Sequence, residues 1–388
     1  MRAGLRSVTS TLALGATLAS IGYAAVALSR LHAFGRGVRR RAAPELRPTV
    51  TILKPARGLE PGLEENLRSF CDQDYPNYEV VIGVLDPDDP ALDTIRRVAA
   101  AFAGRTTVVV GDGVARFANP KIATLGPMLE HAVNDVLVVA DSDMRVSPDY
   151  LDAIVAPFAD QRVGAVTCIY RGEPAANDLA SALGAMWITE QFAPSALVAN
   201  ALEPLRYCFG ATMAVRRNVL DEIGGLAALG DHLADDHALG RLVTQSGYRV
   251  ALADYVVANR VTERDLRGMF EHEVRWARTI RTVRPSSYAG IVLTYPLPLA
   301  LLYLAVARDR RRALAVAAAA VFVRLALRRA AHAELGTPKP PSHLLVMLRD
   351  TLGVAAWVSG LAGRTVRWRD DEFPIAAGGA IGSKAPRP

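Results

Sequence analysis

Two acidic residues stand directly after a short apolar run. The segment DVLVVA at 135–140 has the composition of a buried strand, and Asp141 and Asp143 follow it as Asp-Ser-Asp. Mg²⁺ and Mn²⁺ prefer carboxylate oxygens and take one or two of them together with substrate phosphates. A cation held there would neutralise a departing diphosphate. The alternative is a turn in which the aspartates cap backbone amides ahead of a helix that begins near Pro148.

A second acidic group follows another apolar run upstream. Asp86 comes after YEVVIGVL at 78–85, where a carboxylate can accept hydrogen bonds from a nucleotide base or ribose. Asp88 and Asp89 are instead expected to cap the helical stretch that starts near residue 91.

A third acidic pair lies downstream, where Asp235 and Asp236 begin a helical stretch. Adjacent helical residues point about 100° apart, so we expect at most one of them to face a site. That carboxylate would be the general base that removes a proton from an attacking hydroxyl. The alternative is that both are acids favoured by a helix N-terminus.

Arginines recur at multiples of three residues in the segment that follows. Several of them would share one helix face, which ahead of an apolar stretch predicts an interfacial helix on anionic lipid. Arg275, beside Trp276, could instead clamp a diphosphate. The arginines are Arg264, Arg267, Arg275, Arg278, Arg281 and Arg284.

These side chains need a scaffold, and the sequence predicts an α/β domain over 48–285. Short apolar runs alternate with helical stretches, which is typical of βαβ units and a mostly parallel, Rossmann-like sheet. Ligands of such sheets lie beyond the carboxyl ends of the strands. The predicted strands are 50–55, 78–84, 106–111, 135–141 and 163–170.

An uncharged run at 8–29 has the length needed to cross a bilayer, so residues 1–30 are predicted to be a transmembrane anchor. A basic juxtamembrane linker at 31–47 follows, and its arginine excess predicts a cytoplasmic domain. A cleaved signal peptide is the alternative. The arginines behind the run are Arg30, Arg36, Arg39, Arg40, Arg41 and Arg47.

The region 286–363 is predicted to contribute two to three membrane helices, which makes the protein multi-pass. Its apolar stretches are 288–307, 313–327 and 344–362, and Arg324 makes the middle one the weakest span. Three crossings would leave the C-terminus outside, whereas the arginines after 363 favour the inside. A stretch that does not cross would relieve this conflict. The polar tail at 364–388 is expected to be frayed.

Composition narrows the function classes. With 51% hydrophobic residues, mean hydropathy +0.17 and net charge +6, the chain is too apolar for an ordinary soluble protein. Anionic headgroups or diphosphates are better partners than nucleic acid, for which no motif is present. Cys71, Cys168 and Cys208 are too scattered for zinc or for a disulfide framework, so a reducing compartment fits.

The motifs together resemble the ceramide glucosyltransferases, within the family 2 and family 21 glycosyltransferases of the GT-A fold. Bacterial hopanoid-biosynthesis-associated glycosyltransferases are similar. The resemblance covers about residues 45–290 and the flanking apolar segments. The motifs, in order, are ILKP (52–55), LDPDDP (85–90), NPKI (119–122), ADSDMRV (140–146), GGL…ADDHALG (224–240) and HEVRW (272–276).

The resemblance implies a role for each matching residue. Asp236 matches the catalytic base, and Asp141 with Asp143 matches the metal and diphosphate site, for Mn²⁺ or Mg²⁺. The matching donor-binding positions are Lys54, Asp86, Lys121, Asp141, Arg275 and Trp276. Two departures stand out: His272 occupies the first position of the (Q/R)xxRW motif, and this chain has Asp-Ser-Asp where ceramide enzymes often have Asp-Ser-Gly.

The function expected from these residues is inverting transfer of glucose or N-acetylglucosamine from a UDP-sugar to a lipid hydroxyl, at a bacterial inner membrane. A hopanoid polyol such as bacteriohopanetetrol, or ceramide, would be the acceptor. The apolar helix at 177–200 would either form an access groove for the lipid or pack in the core. The alternatives are a processive polysaccharide synthase and a non-catalytic membrane scaffold.

Overall fold

The computed structural model describes residues 2–363, 365–368, 371–374 and 376–381. A sheet unit consists of Gly37–Ala176, Glu203–Thr262 and Thr365–Pro388; a helical unit consists of Met1–Arg36, Asn177–Leu202 and Glu263–Arg364. The structure therefore differs from the predicted continuous domain at 48–285, because 177–202 and 263–285 pack within the helical unit.

The elements are numbered in chain order. The helices are α1 Arg2–Arg40, α2 Leu63–Cys71, α3 Leu92–Ala101, α4 Pro120–Leu129, α5 Tyr150–Val155, α6 Leu179–Trp187, α7 Ala193–Leu202, α8 Arg217–Glu222, α9 Asp235–Gln245, α10 Leu266–Val283, α11 Pro285–Gly290, α12 Pro296–Val306, α13 Arg310–Glu334 and α14 Val346–Gly360. The strands are β1 Val50–Pro55, β2 Tyr78–Val84, β3 Thr106–Val110, β4 Val136–Val139, β5 Met144–Arg145, β6 Val163–Pro174, β7 Met213–Arg216, β8 Arg249–Val261, β9 Thr365–Trp368 and β10 Asp371–Pro374.

Eight strands form one mixed sheet in the order β3-β2-β1-β4-β7-β6-β8-β5. β1 pairs in parallel with β2 and β4, and β2 pairs in parallel with β3. This parallel half is the one that the apolar runs predict, and the α/β fold class is confirmed. In the other half, β7 runs antiparallel to both β4 and β6, whereas β6 and β8 are parallel.

Helices on both faces bury the parallel strands, and every residue of β1 and β4 is buried. Alternate side chains face opposite clusters, as the two-residue period of a strand requires. Ile52 packs with Phe70 of α2 and Ile95 of α3, whereas Leu53 packs with Ile122 of α4. Each such side chain contributes about 1.5–3 kcal/mol through burial. The strand ends are thereby fixed, and with them the loops that carry the acids.

The sequence does not predict the strands β7 and β8. β7 has only four residues, too few for an apolar run to stand out. The 13 residues of β8 include Asp254 and Asn259. Its pairing with β6 shifts register twice, and such irregularities break the alternation by which a strand is recognised.

The helical unit includes most of α1, which is continuous from Arg2 to Arg40. The predicted linker at 31–47 is therefore helical up to Arg40. Among the described residues, Val8–Arg40 is the one helix long and apolar enough to cross a bilayer. The pair Pro285–Thr294 and Pro296–Val306 reaches that length only when its two pieces, bent by 68°, are taken as a single span.

Helix α13 buries Arg324 and Arg328 in its middle, while several of its large apolar side chains are exposed. Arg324 is completely buried, and its Nη2 lies 2.9 Å from Glu190 Oε2 and 2.8 Å from Asp350 Oδ1. Leu314 and Phe322 on the same helix are 59% and 76% exposed. Charged groups that face the interior of a helical unit are typical of membrane-embedded helices. Arg324, which weakened this stretch as a predicted span, is thus paired inside the unit.

The C-terminal tail is ordered where the structure describes it, in contrast to the frayed tail that the sequence predicts. β9 and β10 pair as an antiparallel hairpin, with Phe373 opposite Val366. Both side chains are buried against Leu233 and Ile381. Burial of these apolar side chains stabilises the hairpin. The composition of the tail alone does not predict this cluster.

Gly240 lets helix α9 approach the segment before β7. A Cβ on Gly240 would lie 2.2 Å from the Cα of Tyr207. The backbones also join where the Cys208 amide donates to the Asp236 carbonyl at 3.0 Å. Because α9 begins with the acids at 235 and 236, this contact sets where both carboxylates lie.

We expect Gly240→Ala to lower the free energy of unfolding by about 1–3 kcal/mol, because the added methyl forces the two backbones apart. Thermal unfolding in detergent would measure it. Gly104→Ala is the matched control, since a Cβ there meets nothing within 4 Å. Equal unfolding midpoints for the two variants would contradict the close approach.

Candidate active site

Lys121 connects the acids that follow β4 with those that begin α9. It lies in the first turn of α4, which Asn119 caps by accepting the Lys121 amide at 2.8 Å. Its Nζ lies 2.6 Å from Asp141 Oδ1 and 3.3 Å from Asp235 Oδ2. Burial alone would lower the pKa of this ammonium, but the carboxylates of Asp141 and Asp235 raise it above its ordinary value. Lys121 is therefore charged at neutral pH.

Asp143, the second acid of the predicted metal pair, is held by the end of β8. Asn259 Nδ2 donates to Asp143 Oδ2 at 2.7 Å, and the Arg260 amide donates to its carbonyl at 2.8 Å. Burial, followed by the carboxylates of Asp141 and Glu60, raises the pKa of Asp143 to about 7. Asp143 is thus a carboxyl that an added cation would ionise.

Asp236 presents an oriented carboxylate in the first turn of α9. Its Oδ2 accepts the Gly210 amide at 3.0 Å, and its Oδ1 accepts the His237 amide at 2.7 Å. Burial and the neighbouring Asp235 raise its pKa to about 7. A carboxylate with that pKa can take up a proton near neutral pH, as a general base must.

The expectation that only one of Asp235 and Asp236 faces the site differs from the structure. Asp235 reaches Lys121 from one side, while Asp236 turns to the Gly210 amide. Adjacent helical residues do diverge, but an ammonium lies on one side of this helix start and a backbone amide on the other. Asp235 is the residue that the sequence analysis did not assign to the site. Its partner Lys121 lies far away along the chain, and nothing in the spacing of the sequence indicates their contact.

Lys54 lies beneath the loop that carries Asp141. It is completely buried, its Nζ donates to the Asp141 carbonyl, and it sits 3.8 Å from the centre of the Phe70 ring. Burial lowers the pKa of Lys54 to about 7. Its ammonium supports the Asp141 backbone from below, and a contact between Lys54 and the donor stays a prediction.

Asp86 is exposed after β2, in the loop where the sequence places it. One of its oxygens accepts the Asp88 amide at 2.9 Å. Asp89 is buried and accepts the amides of Gly58 and Ala91, at 2.9 and 2.8 Å. Asp89 therefore holds the turn ahead of α3, whose N-cap residue is Ala91 and has no side-chain capping hydrogen bond. Asp86 stays available to a ligand.

Arg275 and Trp276 belong to α10 in the helical unit. The Trp276 ring stacks on Trp187 at 4.7 Å, and the His272 ring lies 4.1 Å away on the same helix. His272 hydrogen-bonds with Glu263, yet burial and Arg275 lower its pKa. At neutral pH, then, the motif's first position is an uncharged ring instead of a Gln or Arg.

No group of three His, Cys, Asp or Glu side chains that could hold a metal occurs among the described residues. Asp141 and Asp143 nevertheless suit Mg²⁺ or Mn²⁺, which bind through one or two carboxylates and complete their shell with substrate phosphates. The raised pKa of Asp143 fits such a cation, because nearby positive charge would favour its ionised form. The donor set thus fits a metal that arrives with a diphosphate.

Comparisons with known proteins give one consistent picture. Residues 12–381 match the sequence profile of "Glycosyl transferase family 21". Ceramide glucosyltransferase 3 of Caenorhabditis elegans is 22% identical over 348 residues, which is 86% of this chain and 74% of that protein. Beta-monoglucosyldiacylglycerol synthase of Trichormus variabilis is 26% identical over 185 residues, or 46% and 38% of the two chains.

Among solved structures, the mannosyltransferase PcManGT from Pyrobaculum calidifontis, in complex with GDP-Man and Mn²⁺, aligns with a TM-score of 0.54. The two are 23% identical, and the alignment covers 91% of this chain and 99% of that one. This likeness confirms the GT-A-like fold with its mostly parallel sheet.

We expect Asp143→Asn to stabilise the metal-free protein more at pH 8 than at pH 5. The folded state holds the Asp143 proton up to about pH 7, whereas the unfolded chain releases it near pH 4. The parent protein therefore loses stability as the pH rises between these values, and the variant does not. Asparagine does not titrate and still accepts from Asn259. Thermal unfolding in EDTA should show a gain at pH 8 that exceeds the gain at pH 5 by about 2–3 kcal/mol, or roughly 4–10 °C.

Asp88→Asn, in the exposed loop before α3, is the control for that titration. Equal midpoint shifts for Asp143→Asn at pH 5 and pH 8 would refute the raised pKa.

Proposed function

The chain belongs to glycosyl transferase family 21, and we propose that it is an inverting hexosyltransferase that moves glucose or N-acetylglucosamine from a UDP-sugar to a membrane lipid. The observation that carries the proposal is the Asp236 carboxylate, held by two backbone amides beside the ion pairs of Lys121. The acceptor is a hopanoid polyol such as bacteriohopanetetrol, or ceramide. The names of the relatives, ceramide and diacylglycerol glucosyltransferases, support a lipid acceptor.

The reaction consists of one proton transfer and one displacement. Asp236 takes the proton of the lipid hydroxyl while that oxygen forms a bond to the anomeric carbon. The bond from this carbon to the diphosphate oxygen breaks, and its electron pair leaves with UDP. A single displacement inverts the anomeric centre, so an α-linked donor gives a β-glycoside. The pKa of Asp236, near 7, keeps the base both available and basic at neutral pH.

The donor is positioned by charges of both signs. Asp86 accepts from the base or ribose, and Lys121 meets the diphosphate. Arg275 and Trp276 are proposed as donor-binding residues on the match of their motif alone. Asp141 and Asp143 would hold Mn²⁺ or Mg²⁺, which when bound would offset the charge of the leaving diphosphate. The Mn²⁺ in the PcManGT complex supports this choice of metal.

The connectivity of the two units supports a multi-pass topology with the sheet unit in the cytoplasm. The chain leaves the sheet unit before 177 and before 263, and rejoins it after 202 and after 364. A folded sheet unit lies on one side of a bilayer, so each excursion crosses an even number of times. The excursion at 177–202 is too short for two crossings and therefore makes none. The excursion at 263–364 contributes two crossings instead of three. Together with α1, we propose up to three crossings, for which α1 and the bent pair Pro285–Thr294 and Pro296–Val306 are the apolar candidates.

Asp236→Asn should lower kcat by about 10²–10⁴-fold, because the amide cannot accept the hydroxyl proton. Membranes containing the protein would receive UDP-glucose or UDP-N-acetylglucosamine, Mn²⁺, and ceramide or bacteriohopanetetrol. Mass spectrometry would detect the glycolipid, and NMR would report the anomeric configuration.

Asp235→Asn is the matched variant, since it removes the neighbouring carboxylate and leaves the proposed base. If Asp235→Asn lost the larger share of kcat, Asp235 would be the base. Chains of many sugars would favour a processive synthase, and an α-linked product would exclude a single displacement.

Ala376→Cys tests the topology, because residue 376 is exposed and the native cysteines are buried. We expect a membrane-impermeant maleimide to label it only after cells are lysed. Asp88→Cys, exposed elsewhere in the sheet unit, should behave identically. Labelling of Ala376→Cys alone in intact cells would mean an odd number of crossings.

A further inference from the structure

The tail, which the sequence predicts to be polar and frayed, is hydrogen-bonded to the loop directly ahead of α9. The Leu233 amide donates to the Gly379 carbonyl at 3.0 Å, and the Ile381 amide donates to the Asp231 carbonyl at 2.9 Å. His232 and Ala380 form an antiparallel bridge between these two bonds. Residues 376–381 thus pair with one side of the loop at 231–233 through backbone hydrogen bonds.

The other side of the same loop is held by the cap of α4. The Asn119 amide donates to the Gly230 carbonyl at 2.8 Å, and Asn119 Nδ2 donates to the His232 carbonyl at 2.8 Å. Asn119 also caps the helix that carries Lys121. The loop is therefore clamped between the tail and the element that positions the Lys121 ammonium.

Side chains reinforce the backbone bonds. Leu233, Val366, Phe373 and Ile381 are each no more than 6% exposed and form one apolar cluster. Leu233 precedes Asp235 by two residues. The match to the family profile extends to residue 381, so the family domain includes the whole tail segment in contact with the loop.

We propose that the described tail residues 365–368, 371–374 and 376–381 form a fixed strap that positions the start of α9, and with it Asp236 and Asp235, for sugar transfer. The strap touches no substrate and acts through the loop at 231–233. The inference rests on the proposed role of Asp236. A loop released on the tail side would let the carboxylates shift relative to Lys121, and a displacement of about 1 Å at a catalytic group can cost on the order of 10²-fold in rate.

The test compares Ile381→Asp, which places a charge in the apolar cluster, with the control Pro374→Ala at an exposed position of the hairpin. We expect Ile381→Asp to lower kcat about tenfold or more while the donor KM changes less than about threefold. Pro374→Ala should match the parent. Equal kcat in the two variants would overturn the proposal.

A reversible cross-link separates positioning from misfolding. His232→Cys with Ala380→Cys puts two thiols across an antiparallel bridge, where Cα atoms lie close enough for a disulfide. The native cysteines are buried and do not compete. In the Ile381→Asp background, oxidation should restore kcat and dithiothreitol should abolish it again. A loss that oxidation fails to restore, or an oxidised pair that inactivates the otherwise parental chain, would overturn a fixed strap.

Amide hydrogen exchange reports docking without reference to catalysis. The Leu233 and Ile381 amides should exchange slowly in the parent and rapidly in Ile381→Asp. Rapid exchange in the parent contradicts the strap, whatever the activity. Slow exchange in a chain that transfers no sugar contradicts the proposed function and supports the docking.

Discussion

The bridge that Lys121 makes between Asp141 and Asp235 is the interaction on which the site depends. Two elements far apart in the chain, the loop after β4 and the start of α9, bring carboxylates to one edge of the sheet. Like charges at short range disfavour ionisation, and one ammonium offsets only part of the repulsion. Burial, together with the remaining repulsion between carboxylates, raises the pKa values of Asp143 and Asp236 to about 7. The partly compensated carboxylates can therefore coexist in the folded protein, and they still attract further positive charge.

What the sequence predicts well is local. The apolar runs give the parallel strands, and a strand's end locates Asp141 and Asp143 because the chain itself fixes that order. The burial of Lys54 and the involvement of Asp235 depend on which segments become neighbours, and one sequence does not encode that in its spacing. The same holds for the tail, whose cluster unites Leu233 with Phe373 across most of the C-terminal half.

The helical unit shows how a count of charges along one helix can mislead. Arg324 weakens α13 as a span only if its side chain faces lipid. In the structure it pairs with Glu190 and Asp350, and Arg328 also reaches Glu190. The charges of these two arginines and two carboxylates balance, and the buried His332 also contacts Glu190, with its Nε2 3.0 Å from Glu190 Oε1. Glu190 lies in a five-residue π-helical turn between α6 and α7, a local widening of the kind that often marks functional positions.

The way Asp236 is held fits the chemistry proposed for it. A lysine paired directly with this carboxylate would depress its pKa and make it a poor base. Backbone amides from Gly210 and His237 instead fix both oxygens without a formal counter-charge, while burial and Asp235 keep the pKa near 7. Lys121 forms its ion pairs with Asp141 and Asp235, where charge compensation is needed and basicity is not. The same edge can therefore hold a diphosphate beside cations and still keep one carboxylate able to accept a proton.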